Sequence, residues 1–365
     1  MPTPARVAVV PQEMGQPLRI ESVDLPDPGP TDVVVRQFAS GVCHSQLHEI
    51  HTPRASDVVL GHEATGEVVA VGSEVNHVNP GDRVFVTWLP CSTQPPDRRP
   101  APAQVVQGDG TSAVSLGVFT WADHTIADEM YIVPMPDDVP VDVTSIVGCA
   151  VMTGAGAVMN TAGVTAGSSV AVFGVGGVGC SALSAAKALG ADPIIAVDLT
   201  EEKLEFARSH GATLGVNASE CDPVARIREL TPRDGLDLMG APCAGVDFAF
   251  DCIGAEATIG QVAPSLRSKR WGSDERAVAV LVGIPVSVPA IDVGDLLMHE
   301  KHLTGSIGGT SHPERDFPIF MDWYRRGDLD LDSMVTQRFA LDEINEAVDA
   351  LQRGQISGRA ILVFD

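Results

Sequence analysis

Cys43, His62 and Cys149 are side chains of the kinds zinc prefers, drawn from distant parts of a 365-residue chain, and the third precedes the turn Gly174-Val175-Gly176-Gly177-Val178-Gly179. Two thiolates neutralise a dication, and three protein ligands leave a fourth position for water or substrate. A metal held that way is a Lewis acid for an oxygen, and a glycine turn of this form cradles a dinucleotide. Together they imply metal-assisted hydride transfer, with Cys43, His62 and Cys149 as the ligands.

The elements that must position these residues are clearest around the turn. Ser169–Phe173 is apolar and β-branched enough for a buried parallel strand, and Cys180–Leu189 reads as the helix that follows. Gly174 permits the tight turn, Gly176 lets backbone approach a pyrophosphate, and Gly179 lets helix and strand pack closely. Gly177 and Val178 lie between them, where the helix N-terminus supplies amide donors and partial positive charge. A second apolar run, Pro193–Val197, ends at Asp198, 19 residues beyond Gly179. That spacing suits an acid that accepts the adenosine ribose hydroxyls. Its charge would repel a 2′-phosphate, and Leu199 and Thr200 bring no arginine, so NAD is favoured over NADP.

Outside the turn, the periodicity divides the chain. Short β-like runs such as Asp32–Arg36 and Glu67–Val71 alternate with Gly/Pro turns up to about Ala150, and strand and helix alternate from there to about Ile307, including a strand at Val278–Val282. The expected fold is α/β. Residues 1–150 and 308–365 form a β-rich, barrel-like catalytic domain, and 151–307 form a doubly wound, parallel-sheet nucleotide domain. A helix over Leu341–Val348 and a final strand over Ala360–Phe364 return to the catalytic domain.

The ordered segments Gly41-Val42-Cys43-His44-Ser45, Gly61-His62-Glu63-Ala64-Thr65-Gly66-Glu67-Val68, Pro80-Gly81-Asp82-Arg83-Val84, Gly148-Cys149 with Thr153-Gly154, the glycine turn, Gly245-Val246-Asp247-Phe248 with Ile253-Gly254, and Leu303-Thr304-Gly305-Ser306 resemble the zinc-containing alcohol dehydrogenases of the medium-chain dehydrogenase/reductase family. The resemblance runs from about Val7 to Phe364. It implies a GroES-like catalytic domain, a Rossmann nucleotide domain, one catalytic zinc and one NAD per chain, and a homodimer through the nucleotide domain, with a homotetramer as the alternative. It also implies roles. Ser45 touches the substrate oxygen, His48 ends a proton relay, and Glu63 is the acid behind the metal. Thr153 packs on the nicotinamide, and Ile253 lies in a cofactor-contacting segment. Lys203 holds the adenosine ribose, His44 and Arg359 the pyrophosphate, and Trp88 narrows the substrate pocket toward primary or aromatic alcohols. Trp121, Val118, Ile284 and Met298 are further lining candidates.

Three departures from the family pattern matter. Two-zinc members carry four close cysteines where this chain has Pro90-Cys91-Ser92-Thr93-Gln94-Pro95-Pro96-Asp97-Arg98-Arg99-Pro100, so no structural zinc is expected and Cys91 reads as a free thiol. Gln46 stands where the family has an acid, and is expected to accept the free N–H of His62 without charge. Extra hydrophilic stretches at Thr231–Pro242 and Ser268–Arg276 read as surface loops.

Composition sets the limits. A net charge of −24, with no basic run longer than Lys269-Arg270, argues against nucleic acid or anionic membranes as partners. Seven cysteines without scaffold spacing read as reduced, and no leader or apolar span of membrane length is present, so the expected location is cytoplasmic. The partner is a small alcohol or aldehyde. Other readings stay open: a related dehydrogenase acting on an aldehyde adduct, a polyol or a hydroxyacyl substrate, with Arg98 and Arg99 as the local cations an anionic adduct would want, or a non-catalytic nucleotide-binding protein. Zinc-free enoyl reductases are disfavoured because they lack the thiolate pair.

Overall fold

The strand Asp32–Val42 explains why the first part of the chain reads as apolar runs rather than clean alternation. Val33 and Val35 enter one core with Val68, Val84, Val86 and Ile132, while Val34 points the other way into a core with Val7, Val9, Leu25, Val59 and Phe119. A strand buried on both faces has no polar side to show. In the computed structural model, which describes residues 2–91, 98–100, 102–115 and 117–365, this strand is central to a sheet ordered 132–134, 83–87, 63–71, 32–42, 359–363, 335–339, with 124–128 also paired to it. A second sheet runs 19–25, 3–10, 58–59, 112–114, 104–106. The tail helix Ile344–Gln352 covers a third core. It buries Ile344, Ala347, Val348 and Leu351, a helical i, i+3, i+4, i+7 stripe, against Val42, Ile50, Leu60 and Trp121. Each large aliphatic chain so buried contributes about 1.5–3 kcal/mol.

The nucleotide unit is a six-stranded parallel sheet in the order 214–217, 194–198, 170–173, 248–251, 278–281, 302–305. The chain moves outward from 170–173 to 214–217, then returns to the other side at 248–251. Strand order therefore reverses beside 170–173, the kind of switch point at which open α/β sheets bind ligands. The following helix spans Gly177–Ala188 and is capped by Gly176, so it begins inside the glycine turn and not at Cys180.

The structure refines several expectations. The chain divides into a unit holding residues up to 150, 312–321 and 331–365, and a unit holding 151–311 and 322–330. Residues 308–311, expected in the catalytic domain, stay with the nucleotide unit because Ser311 Oγ donates to the Met152 carbonyl (3.2 Å) and the Thr310 hydroxyl bonds that of Thr161 (2.7 Å). The stretch 231–242 is not a loop. It forms an antiparallel hairpin, Pro232–Leu236 with Pro242–Ala244. The second stretch is bound to it by a bridge between Asp237 and Arg270 and by the Trp271 N–H on the Leu236 carbonyl (3.2 Å).

Candidate functional site

Strand register assembles the first site. Ser40 pairs with Ala64, which sets Gly41 beside Glu63, and Ala360 pairs with Val42, which sets Arg359 beside Cys43. A Cβ on Gly41 would collide with the Glu63 side chain, and one on Gly148 would meet the Val86 carbonyl and lie 3.4 Å from the Glu63 Cα. Both glycines are what the close approach requires. Thr87 Oγ1 donates to the Gly148 carbonyl (2.7 Å) and Glu63 Oε2 accepts the Ala150 N–H (3.1 Å), so Cys149 is fixed from either side.

The result is that one ligand atom each from Cys43, His62, Glu63 and Cys149 lies within 4.8 Å of the others. His62 Nε2 is 3.2 Å from Cys149 Sγ, and Ser45 Oγ donates to Cys43 Sγ at 3.3 Å. Cys43 and Cys149 are buried and not disulfide-bonded. A bond with the Cys149 thiol holds the Cys43 thiol well below its ordinary range against the upward push of burial, with Arg359 and His62 adding positive charge. Sulfur and imidazole donors converging on one point, one thiol already biased toward thiolate, fit a zinc ion. The site residues would hold it through Cys43, His62 and Cys149, with Glu63 next in line.

Behind these donors the structure adds what the sequence did not disclose. Glu63 is fully buried, and its Oε1 accepts from Nη2 of Arg359, itself 5% exposed. Arg359, expected on the cofactor pyrophosphate, thus has its direct partner in Glu63, while its Nε is buried without a partner. Gln46 also departs from expectation. Its Oε1 accepts the Cys43 N–H (3.2 Å) and no bond to His62 forms among the described residues, while Nε2 is buried and unpartnered. The reason is helical: Cys43 caps the helix His44–Ile50 and Gln46 is its third residue, the place from which a glutamine folds back onto the cap. Glu49 on the same helix is pushed up by burial, with His62 pulling it down. His44 and His48 are exposed, His48 in the last helical turn. Trp88 is half-buried on the core that includes Val118, with its Nε1 buried and unpartnered. Trp121 does not line an open site, because it is buried in the third core and its Nε1 donates to the Gly41 carbonyl (3.2 Å).

Cys91 is a free thiol. Burial and the nearby Glu314 push it up to about 12, which keeps it protonated and disfavours metal binding. Residues 92–97, where the rest of the expected zinc-free lobe falls, lie outside the described residues. Arg98 is neutralised by Asp128 (2.5 Å) and Glu129 (3.4 Å).

In the nucleotide unit the turn has the shape its sequence requires. Gly174 is left-handed (φ +85°) and a Cβ there would run into Ile253, while a Cβ on Gly179 would run into the Gly174 carbonyl. Gly176 faces open space within 4 Å, a backbone surface that a phosphate group could approach. Gly177 and Val178 open the helix. Asp198 ends its strand 8% exposed, accepts the Val175 N–H (3.0 Å) and the Leu199 N–H (2.7 Å), and lies 3.7 Å from Lys203 Nζ. Thr153, on the helix Ala150–Gly156, is partly exposed, and Ile253 is 48% exposed. The donor set fits zinc and the turn fits a dinucleotide.

Comparison with known proteins agrees with that class. Residues 177–326 match the zinc-binding dehydrogenase family and residues 29–137 the alcohol dehydrogenase GroES-like domain. The chain is 33% identical to an alcohol dehydrogenase class-3 of Cereibacter sphaeroides over 100% of both chains, and 32% identical to a geraniol dehydrogenase of Castellaniella defragrans over 98% of this chain and 97% of that one. Its structure resembles that of the benzyl alcohol dehydrogenase from Acinetobacter calcoaceticus, with a TM-score of 0.85, 30% identity and full coverage of both chains. The chain belongs to the zinc-dependent alcohol dehydrogenases of the medium-chain dehydrogenase/reductase family, NAD-linked oxidoreductases of alcohols.

Proposed function

We propose that this chain oxidises primary or aromatic alcohols with NAD, using one zinc held by Cys43, His62 and Cys149. The convergence of those three donors carries the reading. When bound, zinc supplies Lewis acidity for the alcohol oxygen and NAD accepts the hydride. The chain's own groups do the rest. Ser45, its hydroxyl 3.3 Å from Cys43 Sγ, takes the proton of the substrate hydroxyl, and the exposed imidazole of His48 delivers it to water. Glu63 keeps the thiolate site in place through its bonds to Arg359 and Ala150. Asp198 selects NAD by accepting ribose hydroxyls, assisted by Lys203, while Thr153 and Ile253 border the nicotinamide half and His44 contacts the pyrophosphate.

Trp88 supports slender or planar substrates. Its ring stands half-buried on the core that includes Val118, with an N–H that bonds nothing in the described residues. Relatives named for geraniol and benzyl alcohol agree with that preference. The adduct reading stays as the alternative: Arg98 is committed to Asp128 and Glu129, but the exposed Arg99 is not, and a relative 30% identical over 98% of this chain is named S-(hydroxymethyl)glutathione dehydrogenase. Among the described residues no helix is long and apolar enough to cross a membrane, and the reduced cysteines support a cytoplasmic location. A homodimer is the assembly we propose. NADH absorbance over a panel of primary, secondary, benzylic and terpenoid alcohols, with NADP as control, tests the reading. Benzylic or allylic alcohols should give the highest kcat/KM, and turnover only with secondary alcohols or only with NADP would overturn it.

A further inference from the structure

The two inserted stretches of the nucleotide unit take no part in the chemistry above, yet together they line a half-open cavity of about 230 Å³, formed by Arg233, Asp234, Cys243, Arg267, Ser268, Arg270 and Glu275. Two of its three guanidiniums are already spent. Arg233 Nη2 donates to Asp247 Oδ2 (2.5 Å), Arg267 Nε donates to Asp247 Oδ1 (2.6 Å), and the other edge of Arg267 faces Glu275 (3.3 Å). Arg270 is different. Among the described residues no carboxylate lies within 4.0 Å of it, in a chain where 48 acids face 24 Lys and Arg.

Arg270 is exposed, but its stem is placed. The aliphatic stem of Arg270 lies over Gly235, where a Cβ would stand 2.7 Å from Arg270 Cδ, and Gly235 has φ +100°. The backbone bridge to Asp237 fixes the same residue from below. Asp247, Glu275 and the exposed Asp234 offset the three arginines in number, and Asp237 adds a further carboxylate close by, but that one is turned onto the Met239 and Ala241 N–H groups (2.9 Å each) and not onto Arg270. We infer that this cavity binds a small oxyanion, a phosphate or carboxylate, with the guanidinium of Arg270 as its bidentate partner. The volume, below the usual range for ligand sites, limits the guest to a few heavy atoms beyond its anionic group.

Calorimetric titration of the whole protein tests this, with NADH saturating the glycine turn. Inorganic phosphate and succinate are the probes, and sodium chloride at matched ionic strength controls for general screening. At least one probe should bind saturably at one site per chain, and Arg270→Ala should weaken it about tenfold or more, the loss of one charge-assisted contact. Arg270→Lys, a point charge without the fork, should fall between the two, and alcohol turnover in both variants should stay at its original level. Identical isotherms for Arg270→Ala and the natural protein, or heats no larger than those of chloride, would overturn the proposal. A phosphate-only or succinate-only response assigns the class of anion.

Discussion

Each unit of this molecule holds an arginine–carboxylate cluster, one buried and one partly exposed, and the two are finished to different degrees. Beneath the inserts, Asp247 accepts the Ser169 N–H (2.9 Å), the Ser169 hydroxyl (2.7 Å) and both arginines, Arg233 and Arg267. Behind the thiols, Glu63 takes a bond from Arg359 and one from Ala150, but Arg359 Nε has no partner. Buried ion pairs add little net stability over apolar packing of the same volume, so a saturated cluster and an unsaturated one answer to different needs. The saturated one ties a hairpin and a loop to the sheet. The other balances charge: two thiolates and a carboxylate carry three negative charges, which one guanidinium and a dication cancel. An orphaned guanidinium nitrogen is tolerated where the electrostatic work cannot be done by an apolar residue.

The largest way to break that contrast is to remove a donor. Cys149→Ser should leave the protein folded with little bound zinc, and kcat/KM should fall by about a thousandfold or more, the several kcal/mol that Lewis acidity provides. Metal analysis and steady-state kinetics check it, and an unchanged metal content would remove Cys149 from the set. Asp247→Asn probes the other cluster. Arg233 would lose its counter-ion and Arg267, 5% exposed, would keep only Glu275 (3.3 Å), at a cost of about 1–3 kcal/mol in the nucleotide unit, with zinc content unaffected. Burial raises the Asp247 carboxyl, but the Ser169 and Arg267 bonds outweigh it and leave the group below its usual range. A depressed carboxyl contributes stability that is complete above the unfolded value of about 3.9 and is lost as pH falls through the folded one. The stability gap between natural protein and Asp247→Asn should therefore be widest near neutrality and close in acid. Thermal midpoints measured from neutral pH down to about pH 3 decide it, and a gap that widened in acid would contradict the assigned role.

Glu63→Gln should have a smaller effect that belongs to the metal. It removes a charge beside the ligands and leaves Arg359 without a counter-ion. Zinc transfer to a chelator should accelerate about 10- to 100-fold, the range for partners standing behind metal ligands. A transfer rate equal to that of the natural protein would make the Glu63–Arg359 pair architecture after all, and the contrast with Asp247 would vanish.

Where residue type alone fixes chemistry, the chain was readable from one dimension. The order strand, glycine turn, helix and strand-end Asp198 survives intact, because most of what shapes the turn is local: Gly174 takes a left-handed backbone and Gly179 leaves no room for a Cβ against the Gly174 carbonyl five residues earlier. What could not be read is what long-range register decides. Arg359 meets Glu63 only because the last strand pairs antiparallel to Asp32–Val42, and no local pattern announces a pairing across some 300 residues. The hairpin at Pro232–Leu236 was hidden for a different reason: its burial is mostly exposed, so it lacks the apolar alternation that marks a strand. Gly41 and Gly148 offered a signal that could have been used, since a glycine directly flanking or near a ligand implies a backbone that something must approach.

Gln46 sharpens the comparison with the least disturbance. Its amide oxygen serves the Cys43 N–H and its Nε2 bonds nothing, so it holds the thiol's segment without bringing charge to His62. An aspartate is one methylene shorter. It would forfeit the reach back to the helix cap and set a carboxylate near the imidazole and Glu49. Negative charge there makes His62 a stronger donor to the metal, so Gln46→Asp should slow zinc transfer to a chelator by less than tenfold and raise the apparent pKa of kcat/KM by up to about one unit. Glu63→Gln and Gln46→Asp then move the same rate in opposite directions. If Gln46→Asp instead accelerates zinc loss, the cap on Cys43 outweighs the charge on His62, and the role of position 46 is to place a ligand and not to tune one.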